Sequence, residues 1–148
     1  MEMRIEKRNA FYVSGYSVET SEETLEKDCK MLREKYEDKL RKISPCLYFI
    51  AWMSKDNKMI YQLSVETPGE TPDGMMRVEI PAGHFAVGTV PKGEPVLATW
   101  YKFFETVEAS LGVTIDAEYP IHFERFDEND ICELWSPIVK LTEGEDEK

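Results

Sequence analysis

Two stretches of the chain share one pattern: Met3–Gly15 reads MRIEKRNAFYVSG, and Met76–Gly88 reads MRVEIPAGHFAVG. They stand 73 residues apart, and the same offset places the turn-like Ser54–Asn57 over Asp127–Asp130. Within these stretches Met3–Glu6 matches Met76–Glu79 and Ala10–Gly15 matches Gly83–Gly88. With the turn, three separated matches in one register indicate two copies of one unit, with chance similarity between short β-rich stretches as the alternative. The sequence predicts a single domain, residues 1–148, with one copy at about 2–66, a proline- and glycine-rich linker at 67–74, a second copy at about 75–140 and an acidic tail at 141–148.

Hydrophobic periodicity gives the order of elements within each copy. Residues 4–18 and 75–90 are rich in β-branched and aromatic side chains, and each stretch predicts one long or bulged strand. Apolar residues at spacings of three and four then predict one amphipathic helix per copy, and a hairpin follows at 47–65 and at 118–140. The expected fold is therefore α+β, a tandem duplication of a β-α-β-β unit. Its antiparallel sheet carries two helices on one side, and a central ligand groove lies at the pseudo-twofold axis.

Composition excludes several classes of partner. With 18 Lys and Arg against 29 Asp and Glu, the net charge of −11 repels a phosphate backbone and an anionic membrane surface, so neither nucleic acid nor a membrane is expected as a partner. Cys29, Cys46 and Cys132 form neither a disulfide framework nor a CxxC metal motif. The glycines of residues 83–93 form no dinucleotide or Walker loop. We expect a cytoplasmic protein with no metal and no cofactor.

The clearest chemical difference between the copies lies in the first hairpin strand. At the 73-residue offset Glu124 lies over Ala51, and the period of a strand places His122, Glu124 and Phe126 on one face. These can be ordinary solvent-facing residues of a half-exposed strand. The matching residues of the first copy are apolar, however, and this favours an apolar groove that contains one carboxylate. Such a carboxylate prefers a cationic or hydrogen-bonding ligand, and its pKa is expected to rise.

Aromatic side chains are candidates for the wall of this groove. Trp52 and Trp135 lie in the hairpin strands, where pocket and packing roles are equally open, whereas Trp100 lies on the apolar stripe of its helix and is expected in the core. A histidine and a glutamate without a third ligand or a nucleophile predict neither a metal site nor a catalytic triad. The candidate ligand-binding residues are Glu124, Phe126, Trp52, Trp135, Phe85, Tyr16, Tyr48, Tyr101 and His122.

Four motifs, in this order, resemble those of the GyrI-like small-molecule-binding domains: Ile80–Val87, then Gly93 followed by Trp100, then Glu124 in an E-x-aromatic strand, then Glu133–Ile138. The resemblance is densest over residues 75–140. It implies a tandem β-α-β-β fold around a central groove that takes bulky, apolar and often cationic compounds beside a central glutamate, here Glu124. Phe126 and Phe85 stand where many members of that family have tyrosine, so no mechanism that needs a phenol at either place is expected.

Functions of different classes remain open. The first is a stand-alone module that captures apolar or cationic small molecules, since a strand beginning near Arg4 leaves no room for a preceding helix-turn-helix. The second, implied by the resemblance, is a hydrolase that opens strained rings such as the cyclopropanes of DNA-alkylating natural products. Glu124 would then be the catalytic acid or base, with Trp52 and Trp135 as an aromatic clamp. The third, inhibition of DNA gyrase as a protein partner, rests on charge and on the resemblance alone.

Overall fold

The computed structural model describes residues 1–116 and 121–139. In this part of the chain the elements follow in the order β1 (Met3–Arg8), β2 (Phe11–Thr20), α1 (Leu25–Arg41), β3 (Leu47–Met53), β4 (Met59–Glu66), β5 (Met76–Ile80), β6 (Gly83–Thr89), α2 (Val96–Leu111), β7 (Thr114–Ile115), β8 (His122–Phe126) and β9 (Cys132–Val139). The sheet order is β1-β6-β9-β8-β3-β4-β2-β5, every pairing is antiparallel, and the short β7 pairs with β9. The predicted α+β class, with an antiparallel sheet and two helices, is confirmed.

The two hairpins repeat each other closely. Asn57 and Asp130 stand 73 residues apart, and both adopt positive φ, 60° and 62°, a conformation that Asn and Asp tolerate better than most residues. The amide of each donates to the carbonyl three residues earlier, Ser54 in one turn and Asp127 in the other. The hairpins thus follow the offset found in the sequence. The exact bounds of the copies stay a prediction, and the predicted tail and residues 118–120 and 140 of the second hairpin lie outside the described residues.

Each predicted long strand is two strands instead of one. The first stretch divides at Asn9 and Ala10 into β1 and β2, and the second divides at Pro81 and Ala82 into β5 and β6. β1 pairs with β6 in the second half of the sheet, whereas β5 pairs with β2 in the first half. Each half therefore gives its first strand to the edge of the other. Composition could not show this crossing, because both parts of each stretch have the side chains of a strand.

The short connection between β1 and β2 forces the sheet to curl. Six strand spacings separate these strands in the sheet order, which would be about 29 Å in a flat sheet. Only Asn9 and Ala10 join them, and a link of that length spans about 11 Å. The sheet therefore bends until its ends approach, and both of its faces are buried. The two halves differ in register at their matching glycines, since Gly15 pairs with Ser64 but Gly88 pairs with Leu134 and not with Pro137, which matches Ser64 at the 73-residue offset.

Both helices pack on the same face of the sheet. α1 contacts β2, β3 and β4, and α2 contacts β1, β6, β7 and β9. Their buried residues, among them Leu32, Leu40, Phe103 and Val107, join one core cluster with that face. A second buried cluster on the opposite face contains Tyr48, Ile50, Phe85, Phe123 and Trp135. Among the described residues no helix is long and apolar enough to cross a membrane, since α1 has 17 residues and α2 has 16.

Candidate functional site

A cavity of about 230 Å³ lies between the sheet and the N-terminal turns of both helices. The sheet contributes side chains from β3, β4 and β8, the strands at its centre. α1 contributes its first turns and α2 its first residues, so both helices begin at the cavity. The lining is mainly apolar and includes Phe49, Tyr61, Glu124 and Phe126 from the sheet, with Cys29 and Arg33 from α1.

Glu124 is the buried acid of this cavity, with 6% of its surface exposed. Its Oε2 accepts hydrogen bonds from the Tyr61 hydroxyl at 2.8 Å and from the Trp100 indole Nε1 at 2.7 Å. Within residues 1–116 and 121–139, no ion pair reaches this carboxylate. Burial raises the pKa of the carboxyl, while the two donors and the positive charge of Arg33 oppose the rise. The site thus holds the carboxylate by hydrogen bonds, without a direct ion pair from the described residues.

Two groups of α1 modify the surroundings of this carboxylate. The Cys29 thiol lines the cavity, and burial together with the nearby charge of Glu124 raises its pKa to about 12. The Arg33 guanidinium lies over the Phe126 ring, with Cζ 4.8 Å from the ring centroid. Arg33 also forms ion pairs with Glu37 at 2.7 Å and with Asp130 at 2.6 Å. The thiol is therefore a poor nucleophile, and the arginine is held at the rim by two acids.

Four of the candidate aromatic residues lie on the opposite face of the sheet. Trp135 pairs with Phe123, whereas Glu124 pairs with the next residue, Leu134, so their side chains point to opposite sides. Trp135, Tyr48 and Phe85 are buried in the second cluster, and Trp52 packs against it. The expected clamp of Trp52 and Trp135 around Glu124 is not formed. The alternation of each strand allowed either face, and the sequence interpretation assigned these aromatics to a single groove.

Three further candidates lie on the helix side but do not line the cavity. His122 makes edge contacts with Trp100 and Phe104, its Nδ1 is 2.7 Å from Ser136 Oγ, and burial lowers its pKa. Tyr16 stacks on Tyr36 of α1 with ring centroids 3.8 Å apart. Tyr101 is 61% exposed on the outer side of α2. Of the nine candidates, the structure brings together Glu124 and Phe126 in the cavity.

Tyr61 and Trp100 are the two hydrogen-bond donors to Glu124, and the sequence interpretation named neither as a site residue, nor Phe49, Cys29 and Arg33 of the cavity lining. The predicted turn at Ser54–Asn57 does set Tyr61 opposite Ala51, the residue that matches Glu124, but it places Tyr61 in the first hairpin and not beside Glu124. Trp100 lies on an apolar helix stripe, which predicts core packing and says nothing about its N–H. In the structure it does both, since its ring contacts Phe103 and its N–H donates to Glu124.

Comparisons with known proteins place this geometry in a family. The family model Cass2, integron-associated effector binding protein, matches residues 4–138. The structure of SAV2435 bound to tetraphenylphosphonium is similar, with a TM-score of 0.69, 16% identity and 96% of both chains covered. The integron cassette protein VCH_CASS2 from the mobile metagenome of Vibrio cholerae is also similar, with a TM-score of 0.65, 16% identity and coverage of 93% of this chain and 95% of that one. The EcmrR C-terminal domain has a TM-score of 0.64 and 11% identity, with 95% of this chain and 98% of that one covered.

No curated protein matches the chain significantly. At these identities the solved structures show a shared fold, while the family model covers most of the chain and includes both the cavity and Glu124. The chain thus belongs to the Cass2 family of integron-associated effector-binding proteins, in agreement with its resemblance to the GyrI-like domains.

Proposed function

We propose that this protein binds a bulky, apolar organic cation in the cavity between its helices and its sheet, with Glu124 supplying the negative charge. The observation that carries the proposal is the state of Glu124. It is buried, it accepts bonds from Tyr61 and Trp100, and no ion pair reaches it from the described residues. Burial of a carboxylate in apolar surroundings without an ion pair is unfavourable in free energy, and a ligand cation beside it offsets this penalty.

The lining favours a diffuse cation over a compact one. Phe49 and Phe126 offer aromatic rings beside the acid, and a cation over such a ring gains about 0.5–2 kcal/mol. A small ammonium ion would lose its strong hydration in an apolar cavity, whereas a cation wrapped in apolar groups would lose little. SAV2435, which shares the fold, was solved with tetraphenylphosphonium bound, a ligand of this chemistry.

Titration with tetraphenylphosphonium tests the role of the acid. Glu124→Gln keeps an oxygen that accepts from both donors and removes the charge, so we expect the affinity to fall about 30-fold or more. Glu66→Gln is the matched control, because Glu66 is an acid bonded by the Tyr48 hydroxyl on the opposite face, and it should leave the affinity unchanged. Equal affinities of the parent and Glu124→Gln would refute the proposal.

The same titration has a pH signature. The cation binds the ionised carboxylate, and the pKa of Glu124 in the free protein is raised. We therefore expect the affinity to rise with pH through that pKa and then to level off, while the weaker affinity of Glu124→Gln stays flat. A neutral analogue of the same shape, triphenylphosphine oxide, should show no such dependence.

A second candidate function is the hydrolysis of a strained ring, and the contact between Tyr61 and Glu124 supports it. Tyr61 brings a phenol to Glu124, the group that Phe126 and Phe85 lack. In this reaction water adds to a ring carbon and passes a proton to the Glu124 carboxylate, while the electron pair of the broken C–C bond moves into the conjugated group of the substrate. That group then takes up the proton, so the carboxylate is regenerated and the product carries one added water. Incubation with a cyclopropane-bearing alkylator and mass spectrometry would show a gain of one water in the parent and none in Glu124→Gln. If the parent protein leaves the substrate unchanged, hydrolysis is excluded and ligand binding remains the proposed function.

A further inference from the structure

A second hollow adjoins the cavity. It is a cleft of about 740 Å³ between the loop at residues 89–94, which precedes α2, and the turn at residues 129–132, which joins β8 to β9. Val96 and Phe126 line both the cleft and the cavity, so the two are neighbours. The cavity of about 230 Å³ is smaller than the range of about 300–1,000 Å³ in which proteins hold drug-sized ligands. A bulky ligand that reaches Glu124 therefore needs more room than the cavity offers.

Arg33 lies where the cavity and the cleft meet. Its side chain lines the cavity and covers the Phe126 ring, with Cζ 4.8 Å from the centroid. Its NH2 group is 2.6 Å from Asp130 Oδ1, and Asp130 lines the cleft. The Arg33 guanidinium thus reaches from the cavity to Asp130 of the cleft.

The position of Arg33 matches that of a ligand cation. It covers an aromatic face that a bound cation would use, and its charge acts on Glu124. Its ion pair with Asp130, whose side chain is 57% exposed, costs little to break. Arg41 bonds to Glu37 and to Asp130 as well, so both acids keep a cationic partner when Arg33 moves away.

We propose that the ligand occupies the cavity and the cleft together, and that Arg33 is the gate between them, leaving the face of Phe126 when the ligand cation arrives. This inference rests on the proposed function, because it needs an organic cation at Glu124. It further defines the ligand as one with an apolar cationic part beside Glu124 and a second part that extends past Phe126 toward residues 129–132. It also makes Arg33 a specificity-determining residue, since only a ligand whose interactions outweigh the free energy of displacing Arg33 will bind.

Arg33→Met tests the gate, because methionine keeps an apolar side chain and loses the charge and the stacking. We expect tetraphenylphosphonium to bind about 2- to 30-fold more tightly, the factor that corresponds to one cation–aromatic contact no longer displaced. Arg41→Met is the matched control, since Arg41 shares Glu37 and Asp130 with Arg33 but does not line the cavity. Its affinity should equal that of the parent, and an unchanged affinity of Arg33→Met would overturn the gate.

Ile131→Trp tests the cleft. Ile131 lines the cleft and is 49% exposed, so a larger side chain there fills space without disturbing the core, and we expect weaker binding of tetraphenylphosphonium by about threefold or more. Ile43→Trp, at a residue 46% exposed and outside the cleft, is the control. If Ile131→Trp binds like the parent, the ligand does not use the cleft and the proposal is wrong, even where Arg33→Met binds more tightly.

The outcomes separate this inference from the proposed function. Binding by the parent that weakens in Glu124→Gln but does not respond to Arg33→Met or Ile131→Trp leaves the proposed function standing and removes the gate. Absence of binding by the parent and by all variants removes both. Should Arg33→Met fail to fold, Arg33→Gln, which also removes the charge, tests the gate by the same titration.

Discussion

The hydrogen bond from Tyr61 to Glu124 allows a direct test of the site without any ligand. Tyr61→Phe removes only the hydroxyl, and the ring, 5.5 Å from that of Phe49, keeps its packing. A bond of 2.8 Å to an ionised, buried carboxylate contributes about 1.5–3 kcal/mol. For a chain of this size such a loss lowers the midpoint of thermal unfolding by about 3–12 °C.

The loss should depend on pH. The bond favours the charged form of Glu124, so its contribution is present at pH 8 and declines as the pH falls through the raised pKa of the carboxyl, to the level of a neutral bond of about 0.5–1.5 kcal/mol. Urea unfolding at pH 8 and pH 4.5 measures both values. Tyr36→Phe is the control, because the described residues offer its hydroxyl no hydrogen-bond partner while its ring also stacks, on Tyr16. The same loss at both pH values, or none at pH 8, would refute the reasoning.

Glu124→Gln should raise the free energy of unfolding in urea at pH 8 and lose that advantage near pH 4, since a carboxyl whose pKa is raised by folding costs stability as the pH rises through that pKa; curves that coincide at pH 8 would contradict this. Gly15→Ala should cost about 3 kcal/mol in thermal unfolding, because a Cβ there overlaps the Leu63 carbonyl, whereas Gly69→Ala, with nothing within 4 Å, should be nearly neutral. Cys29, with its pKa raised to about 12, should react with iodoacetamide about a thousandfold more slowly at pH 8 than an ordinary thiol, as followed by mass spectrometry.

The part of the site that the sequence could predict depends on local patterns. Glu124 was found because the two copies differ at one residue of a strand whose alternation is clear, and both observations need only the chain itself. The same holds for the hairpin turns, in which Asn57 and Asp130 take the same left-handed conformation. These features are determined by a few neighbouring residues, so they do not depend on which strands pair in the rest of the fold.

What the sequence could not predict depends on which strands become neighbours. Tyr61 reaches Glu124 only because β3 and β8 pair at the centre of the sheet, with Phe49 opposite Glu124. Trp52 and Trp135 lie outside the cavity because their side chains pack in the second buried cluster, on the opposite face of the curled sheet. Period-two alternation assigns two residues to the same face of a strand, but it does not say which face will meet the helices.

The crossing of β1 and β5 makes the two halves depend on each other. A chain cut in the loop between β4 and β5 would keep every strand pair, and the fragments would hold together through β1 on β6 and β5 on β2. Either fragment alone would leave a sheet edge open and carry a strand with nowhere to dock. A half-length chain of this design would have to exchange strands with a second copy and form a symmetric dimer. The cavity, which takes its walls from both halves, would then lie on the dimer axis and hold two buried acids of the Glu124 kind or none. In this chain, with Ala51 in one half and Glu124 in the other, it holds one such acid.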